Sequence, residues 1–327
     1  MTLTRTDAVS SSPLYLGLNL QASALQAGLG DGFQISLSDL GIPLDNVDSA
    51  QEVLQALRQI LESARMIAAD LTSPLVAAGL AVPAHVHPAH GSLTLSTERN
   101  AMWEGLQVAG WLQQELGLPV AVESEIIAAA MAELKVGAAR GASEVLVVKI
   151  DATIQAAYWH HGNFVRGAQG FFGNLGHLAT GNSDLPCSCG HLGCLEASAS
   201  TDAILDRFFA AAEAAEIELE EGDMPETAEA VFALSQKQHA IAAAVLDDVA
   251  FDLGAGLASA VNLLNPQKVV ITGAPIYLRP EFFQQVVRDA GQRMLPGCAA
   301  GVQIVPAMIR ENPECLGAMI LAKERFG

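Results

Sequence analysis

The sequence predicts a duplicated α/β architecture of two domains with a cleft between them. Two observations lead there. Each half of the chain opens with a β-hairpin pattern of apolar residues and continues through alternating strand and helix patterns, βαβα. The chain is also 327 residues long and 51% hydrophobic, which is more than one core usually organises and enough to fill two.

Residues 1–13 read as a frayed leader. Leu14–Leu20 is an apolar strand, Gly28-Leu-Gly-Asp-Gly32 a turn and Phe33–Leu37 the return strand of a first hairpin. A helix is predicted from about Ser49 to Ala69, because Val53, Leu54, Leu57, Ile60, Leu61 and Ala64 share one face. Leu75–Val82 is a buried strand closed by Pro83. A loop with glycine and histidine follows, then a helix near Met102–Leu116 and a strand at Pro119–Val122. The second half repeats this grammar. Val145–Ile150 and Thr153–Trp159 are strands, His161-Gly162-Asn163 a turn, and Phe164–Arg166 the return. After a cysteine-rich loop come helices at Leu195–Ala214 and Thr227–Leu264. The chain closes with a strand at Val269–Thr272, a helix at Pro280–Met294, a strand at Val302–Val305 and a helix at Cys315–Phe326. The acidic stretch from Glu213 to Glu229 reads as a solvated loop. The domain division is expected at 1–121 plus 314–327 against 122–313.

Composition excludes several functions. Acidic residues outnumber basic ones 36 to 17, for a formal charge of −19, which repels nucleic-acid backbones and anionic membranes. Mean hydropathy is +0.31, too apolar for a disordered chain. The longest stretch without a charged residue, Leu71–Thr97, is broken by Pro74, Pro83 and Pro88 and falls short of a membrane span. The N-terminal segment has no apolar signal core, so a cytoplasmic location is expected.

Three of five cysteines crowd into Cys187-Ser-Cys189-Gly-His-Leu-Gly-Cys194, shortly after Gly173-Asn-Leu-Gly-His177. Three thiols and one imidazole at this spacing suit a closed tetrahedral Cys₃His zinc site made of His177, Cys187, Cys189 and Cys194, structural because no position stays open for water. Gly190 and Gly193 let the chain wrap around it. The alternative is three free thiols beside an ordinary buried histidine. Cys298 and Cys315 stand alone, and His85, His87 and His90 read as a coincidence in a proline-rich loop.

The run from Gly173 to Glu196 resembles the signature of the ROK family (repressors, open reading frames, sugar kinases): G-E-x-G-H, a spacer, then C-x-C-G-x-x-G-C-L-E. Further pieces fall in the family's order. They are Val82-Pro83, Pro119-Val-Ala-Val-Glu123 followed by Ala128-Ala-Ala-Met-Ala-Glu133, Gly137-Ala-Ala-Arg-Gly141, Leu264-Asn-Pro266 and Leu316-Gly-Ala318. The resemblance implies an actin-like (ribonuclease H-like) fold, a sugar in the interdomain cleft and commonly a homodimer. Family regulators carry an additional N-terminal winged helix-turn-helix. About a dozen residues precede the first strand here, too few for that module, so no direct contact with nucleic acid is expected.

The sequence departs from the family where phosphoryl transfer needs it most. The first phosphate turn, D-x-G-G-T in the family, is Asn19-Leu20-Gln21-Ala22-Ser23. An aspartate able to help hold magnesium has become an amide, and both glycines have gained side chains. The second, G-T-G-I-G-x-G, is Asp151-Ala152-Thr153-Ile154-Gln155-Ala156-Ala157, without glycine and with a negative charge. A Gly-Gly beside the adenosine becomes Gly273-Ala274. ATP and Mg²⁺ are therefore not expected as cofactors. The family's N-D-A-N aligns with Ser124-Glu125-Ile126-Ile127, which leaves Glu125 as a degenerate base. Its extra methylene shifts the carboxylate by ~1 Å, and such a shift can cost ~10²-fold in rate.

By the same resemblance, His177 and Glu196 are sugar contacts retained from the family. Asn174 and Ser124 replace a glutamate and an asparagine, Glu125 faces the sugar, and Asn100 aligns with a further contact. Alternatively His177 serves only zinc and Glu196 caps the helix that follows it. Three functions are consistent with this pattern: a catalytically inactive sugar-sensing or regulatory protein, an ATP-dependent kinase for glucose or an N-acetylhexosamine, and a zinc-stabilised interaction module. The altered turns favour the first.

Overall fold

The structure is a computed structural model that describes residues 12–21, 24–37, 40–44, 49–87, 92–94, 108–179, 184–217 and 224–327. The chain divides into two compact units, residues 1–137 with 309–327, and residues 138–308. The first contains β1 (Leu14–Leu20), β2 (Ala24–Gly30), β3 (Ile35–Leu37), β4 (Ile42–Pro43), α1 (Ala50–Asp70), β5 (Leu75–Val82), β6 (His85–Val86), β7 (Leu93–Thr94), α2 (Val108–Leu116), β8 (Val120–Ser124) and α3 (Glu125–Val136). The second contains the strands β9 (Glu144–Ile150), β10 (Ile154–His160) and β11 (Asn163–Val165), then α4 (Leu195–Ala199), α5 (Thr201–Ala214), α6 (Ala228–Gln236) and α7 (Ala240–Leu264). It ends with β12 (Lys268–Thr272), α8 (Ala274–Leu278), α9 (Pro280–Arg293), α10 (Pro296–Gly301) and β13 (Gln303–Pro306). The chain returns to the first unit as α11 (Pro313–Phe326).

The two sheets have the same plan. In the first unit the order is β3-β2-β1-β5-β8, with β2 antiparallel to both neighbours and β1, β5 and β8 parallel; β4 adds to β2. In the second it is β11-β10-β9-β12-β13, with the same alternation of antiparallel and parallel pairs. The duplication expected from the sequence is thus present along the five-strand path of each sheet.

Side-chain alternation explains how each sheet is covered. In β1, Leu16, Leu18 and Leu20 join Leu57 and Leu61 of α1 and Leu112 of α2 in one core. The intervening Gly17 turns to the other face, as does Gly79 of β5, and there α11 lies directly on the backbone. A Cβ on Gly79 would stand 1.9 Å from the carbonyl oxygen of Ala318, so only glycine allows this approach. In the second unit, Leu146, Val148 and Ile150 of β9 pack with Phe208, Phe232, Leu253 and Leu257 of the helices.

Several elements differ from the sequence expectation. The first hairpin is β1 with β2, not Leu14–Leu20 with Phe33–Leu37. Gly28 and Gly30 lie inside β2, and the turn signal is confined to residues 31–34, where Asp31 Oδ1 accepts the N–H groups of Phe33 and Gln34. The helix expected over Leu195–Ala214 is two helices, because Ser200 leaves helical geometry and its hydroxyl accepts the Ala203 N–H as the cap of α5. The helix expected over Thr227–Leu264 also divides: Gln238 takes a left-handed conformation and His239 caps α7. Short helices α8 and α10 were not anticipated. The sequence expectation drew the unit boundary at 121/122, before α3. That helix packs against α11, which keeps it in the first unit.

Candidate functional site

The cysteine loop is organised by backbone bonds before any metal is considered. It leaves β10 and β11, passes through a 3-10 turn at Leu175–His177, and enters α4 at Leu195. The Ala156 N–H of β10 donates to Gly173 O (2.7 Å), and the Leu195 N–H donates to Leu178 O (2.9 Å). Within the loop, the Cys187 N–H donates to His191 O and the Gly190 N–H to Cys187 O, both at 2.9 Å, which closes a tight turn. Gly190 and Gly193 have φ of 86° and 72°, the left-handed region that lets this turn direct sulfurs inward.

Four ligand atoms, one each from His177, Cys187, Cys189 and Cys194, lie within 4.8 Å of one another. Cys187 Sγ is 3.6 Å from His177 Nδ1, and Cys189 Sγ is 3.6 Å from Cys194 Sγ. A tetrahedral ion with Zn–S near 2.3 Å and Zn–N near 2.0 Å separates such atoms by about 3.6–3.8 Å. The donor set and its spacing therefore fit a metal ion. Burial raises the Cys194 thiol to about 12, whereas a hydrogen bond from the His191 backbone N–H, aided by the His191 ring, lowers Cys189 to about 6. The His191 ring, whose Nδ1 stands 3.5 Å from Cys189 Sγ, is a neighbour that the spacing argument did not single out. Cys298 and Cys315 lie outside this cluster.

The two phosphate-turn positions sit at equivalent places, after β1 and after β9. In the first, the Gln21 N–H donates to Ala24 O (2.8 Å); Ala22 and Ser23 lie outside the described residues. Asn19 is fully buried, and neither atom of its amide has a hydrogen-bond partner among the described residues. In the second, three backbone donors are bonded within the chain. The Ala152 N–H donates to Asp151 Oδ1 (2.9 Å), the Asp151 N–H to Thr153 O (3.0 Å), and the Ile154 N–H to Glu196 Oε2 (2.9 Å). Lys149 Nζ stands 3.8 Å from Asp151 Oδ2. Gly273 follows β12, and a Cβ there would lie 1.9 Å from Ile150 O, so close packing on β9 suffices to explain this glycine.

The expected sugar contacts divide between the units. Strand register aligns Asn19 with Ala81, and Val82 with Ser124, along the carboxyl ends of three parallel strands, where open α/β sheets bind ligands. Ser124 occupies the N-cap position of α3 with no capping bond from its hydroxyl, and Glu125 begins that helix, buried. In the second unit, Asn174 Nδ2 donates to Phe171 O (3.1 Å). Glu196 is only 7% exposed; its carboxylate holds the Ile154 N–H rather than capping α4. Asn100 and His90 lie outside the described residues.

A family model for the ROK family matches residues 42–325. The chain belongs to the ROK family. Its relatives include a putative xylose repressor from Caldicellulosiruptor, 27% identical over 84% of this chain and 69% of the repressor. A glucokinase from Halalkalibacterium halodurans is 28% identical over 77% of this chain and 78% of the enzyme. Among solved structures, a Streptomyces griseus ROK glucokinase in complex with glucose and AMPPNP superposes with a TM-score of 0.79 at 20% identity, covering 95% of this chain and 99% of the glucokinase. The duplicated plan of this ROK protein is thus the actin-like fold of the ROK sugar kinases. Repressors and kinases match alike, so the family assignment leaves the role of this member to its own residues.

Proposed function

We propose that this ROK protein binds a sugar without phosphorylating it efficiently and acts as a sugar-sensing or regulatory protein, cytoplasmic and homodimeric. One observation carries the loss of phosphoryl transfer. At the turn after β9, the N–H groups of Asp151, Ala152 and Ile154 are already bonded to Thr153 O, the Asp151 carboxylate and Glu196. A phosphate cradle needs free backbone donors and no competing anion, and here an internal carboxylate accepts from the turn's own backbone. The change from aspartate to Asn19 at the first turn supports the same conclusion, since an amide is a poorer magnesium partner than a carboxylate.

Sugar binding rests on polar side chains at the positions expected from the family signature. On the second unit these are Asn174 and His177, the latter with Nδ1 turned to the thiols and Nε2 remaining as a donor. On the first they are Ser124 and Glu125. Zn²⁺ is the ion we assign to His177, Cys187, Cys189 and Cys194. Four protein ligands fill its tetrahedron, so it would order the loop and fix the His177 ring rather than activate water.

A kinase for glucose or an N-acetylhexosamine is the second reading, favoured by the carboxylate that Glu125 retains at the start of α3 and by the glucokinase among the relatives. Calorimetry with a panel of hexoses and N-acetylhexosamines, run beside a coupled assay for Mg²⁺- and ATP-dependent phosphorylation, separates the two. The proposal expects saturable binding of at least one sugar and no turnover. Turnover abolished by Glu125→Gln would establish the kinase, and no binding of any sugar would leave an interaction module.

A further inference from the structure

A second group of metal-ligating side chains lies at the far end of the β10–β11 hairpin and shares no residue with the cysteine loop. His160 stands directly opposite Glu144 in the antiparallel pairing of β10 with β9, and His161 opens the hairpin turn. His160 Nδ1 is 2.9 Å from both Glu144 carboxylate oxygens and His161 Nε2 is 2.9 Å from Oε1, and the ligand atoms of all three residues lie within 4.8 Å of one another. The carboxylate is held from behind: the Tyr158 hydroxyl donates to its other oxygen and lies 3.2 Å from Leu264 O. Toward solvent the group is open, with the His160 and His161 side chains 55% and 68% exposed and Glu144 only 20%.

His161 is also an unusual residue for its backbone. Its φ is 44°, and tight hairpin turns of this kind favour asparagine or glycine there. The conformation is secured by the His161 N–H, which donates to Ser143 O at 2.9 Å, and it aims the ring at Glu144.

We infer that Glu144, His160 and His161 form a second, surface site for a divalent transition-metal ion, with Zn²⁺ or Ni²⁺ the type of ion it takes. Two imidazoles and one carboxylate are the donors that such ions prefer over Mg²⁺ or Ca²⁺. Metal–ligand bonds of about 2.0–2.2 Å place tetrahedral ligand atoms about 3.3 Å apart. Measured from Glu144, each exposed ring retreats by a few tenths of an ångström to reach that spacing, and the ion takes the place of the two N–H hydrogen bonds. Water completes the coordination, and the ion ties the start of β9 to the turn after β10.

The test is a calorimetric titration of Ni²⁺ into the 327-residue chain with its cysteine cluster already loaded with Zn²⁺, comparing the native chain with His161→Asn and with His160→Asn/His161→Asn. Asparagine suits the left-handed turn, so His161→Asn keeps the hairpin while removing a ligand. Ions held by other histidines bind all three proteins equally and cancel in the comparison. The native chain should take up one more Ni²⁺ than the double variant, and His161→Asn should weaken that binding at least tenfold. Co²⁺ at the same place should absorb without the thiolate-to-cobalt charge-transfer band of the cysteine cluster. Equal stoichiometry and affinity in all three proteins would overturn the inference, as would a thiolate band on the additional ion.

Discussion

Cys189 and Cys194 are 3.6 Å apart, yet without metal the His191 hydrogen bonds hold the Cys189 thiol down to about 6 while burial pushes Cys194 up to about 12. Near neutral pH the first is already largely thiolate and the second holds its proton. Metal needs both as thiolates, so uptake displaces a proton from Cys194, and apparent affinity should rise at least about tenfold per pH unit between about pH 7 and 8. As pH falls through about 6, Cys189 protonates as well and release steepens. Competition with a chromophoric chelator across this range measures the slope; a flat profile would mean the thiols do not hold the ion. Glu196 makes a second residue-scale prediction. Glu196→Ala strips the buried Ile154 N–H of its acceptor and should cost about 1–3 kcal/mol in urea unfolding, whereas Glu196→Gln, which keeps an acceptor oxygen, should cost less. Equal losses would show that the charge, not the hydrogen bond, is what matters there.

At the scale of elements, α11 lies against β5 with no room for a side chain at Gly79. Gly79→Ala puts a methyl group 1.9 Å from Ala318 O and should destabilise the protein by about 1–3 kcal/mol or more, seen as a lower unfolding midpoint. An unchanged midpoint would mean that α11 is free to lift away. Such packing also marks what the sequence made legible. Helix α1 was legible from its apolar face, and its start falls one residue after Ser49, where Ser49 and Glu52 form a capping box. Strand β2 was hidden because glycines inside a strand look like a turn until the opposing backbone is known. The breaks before α5 and α7 were hidden because Ser200 and His239 interrupt runs that stay apolar on both sides. In the candidate site, the clustering of His177, Cys187, Cys189 and Cys194 was legible from glycine and cysteine spacing. The bond between Glu196 and Ile154 was not, since it joins residues 42 positions apart that only the fold brings together.

For the whole molecule, duplication places residues 19–23 and 151–157 at the ends of equivalent strands, β1 and β9, and neither segment contains a glycine. Among the described residues no helix is long and apolar enough to cross a membrane. The formal charge of −19 further disfavours a polyanionic ligand that lacks a dedicated cradle. The most direct test of a sugar-binding protein without efficient phosphoryl transfer is the thermal melt of the metal-loaded protein with and without saturating Mg²⁺ and ATP. A nucleotide at ~100 times its dissociation constant adds ~2.7 kcal/mol to stability, a shift of several degrees in a chain of this size. An unchanged midpoint in a cooperative melt is the predicted result; a rise of several degrees would show that the turns after β1 and β9 still hold phosphate, and would contradict it.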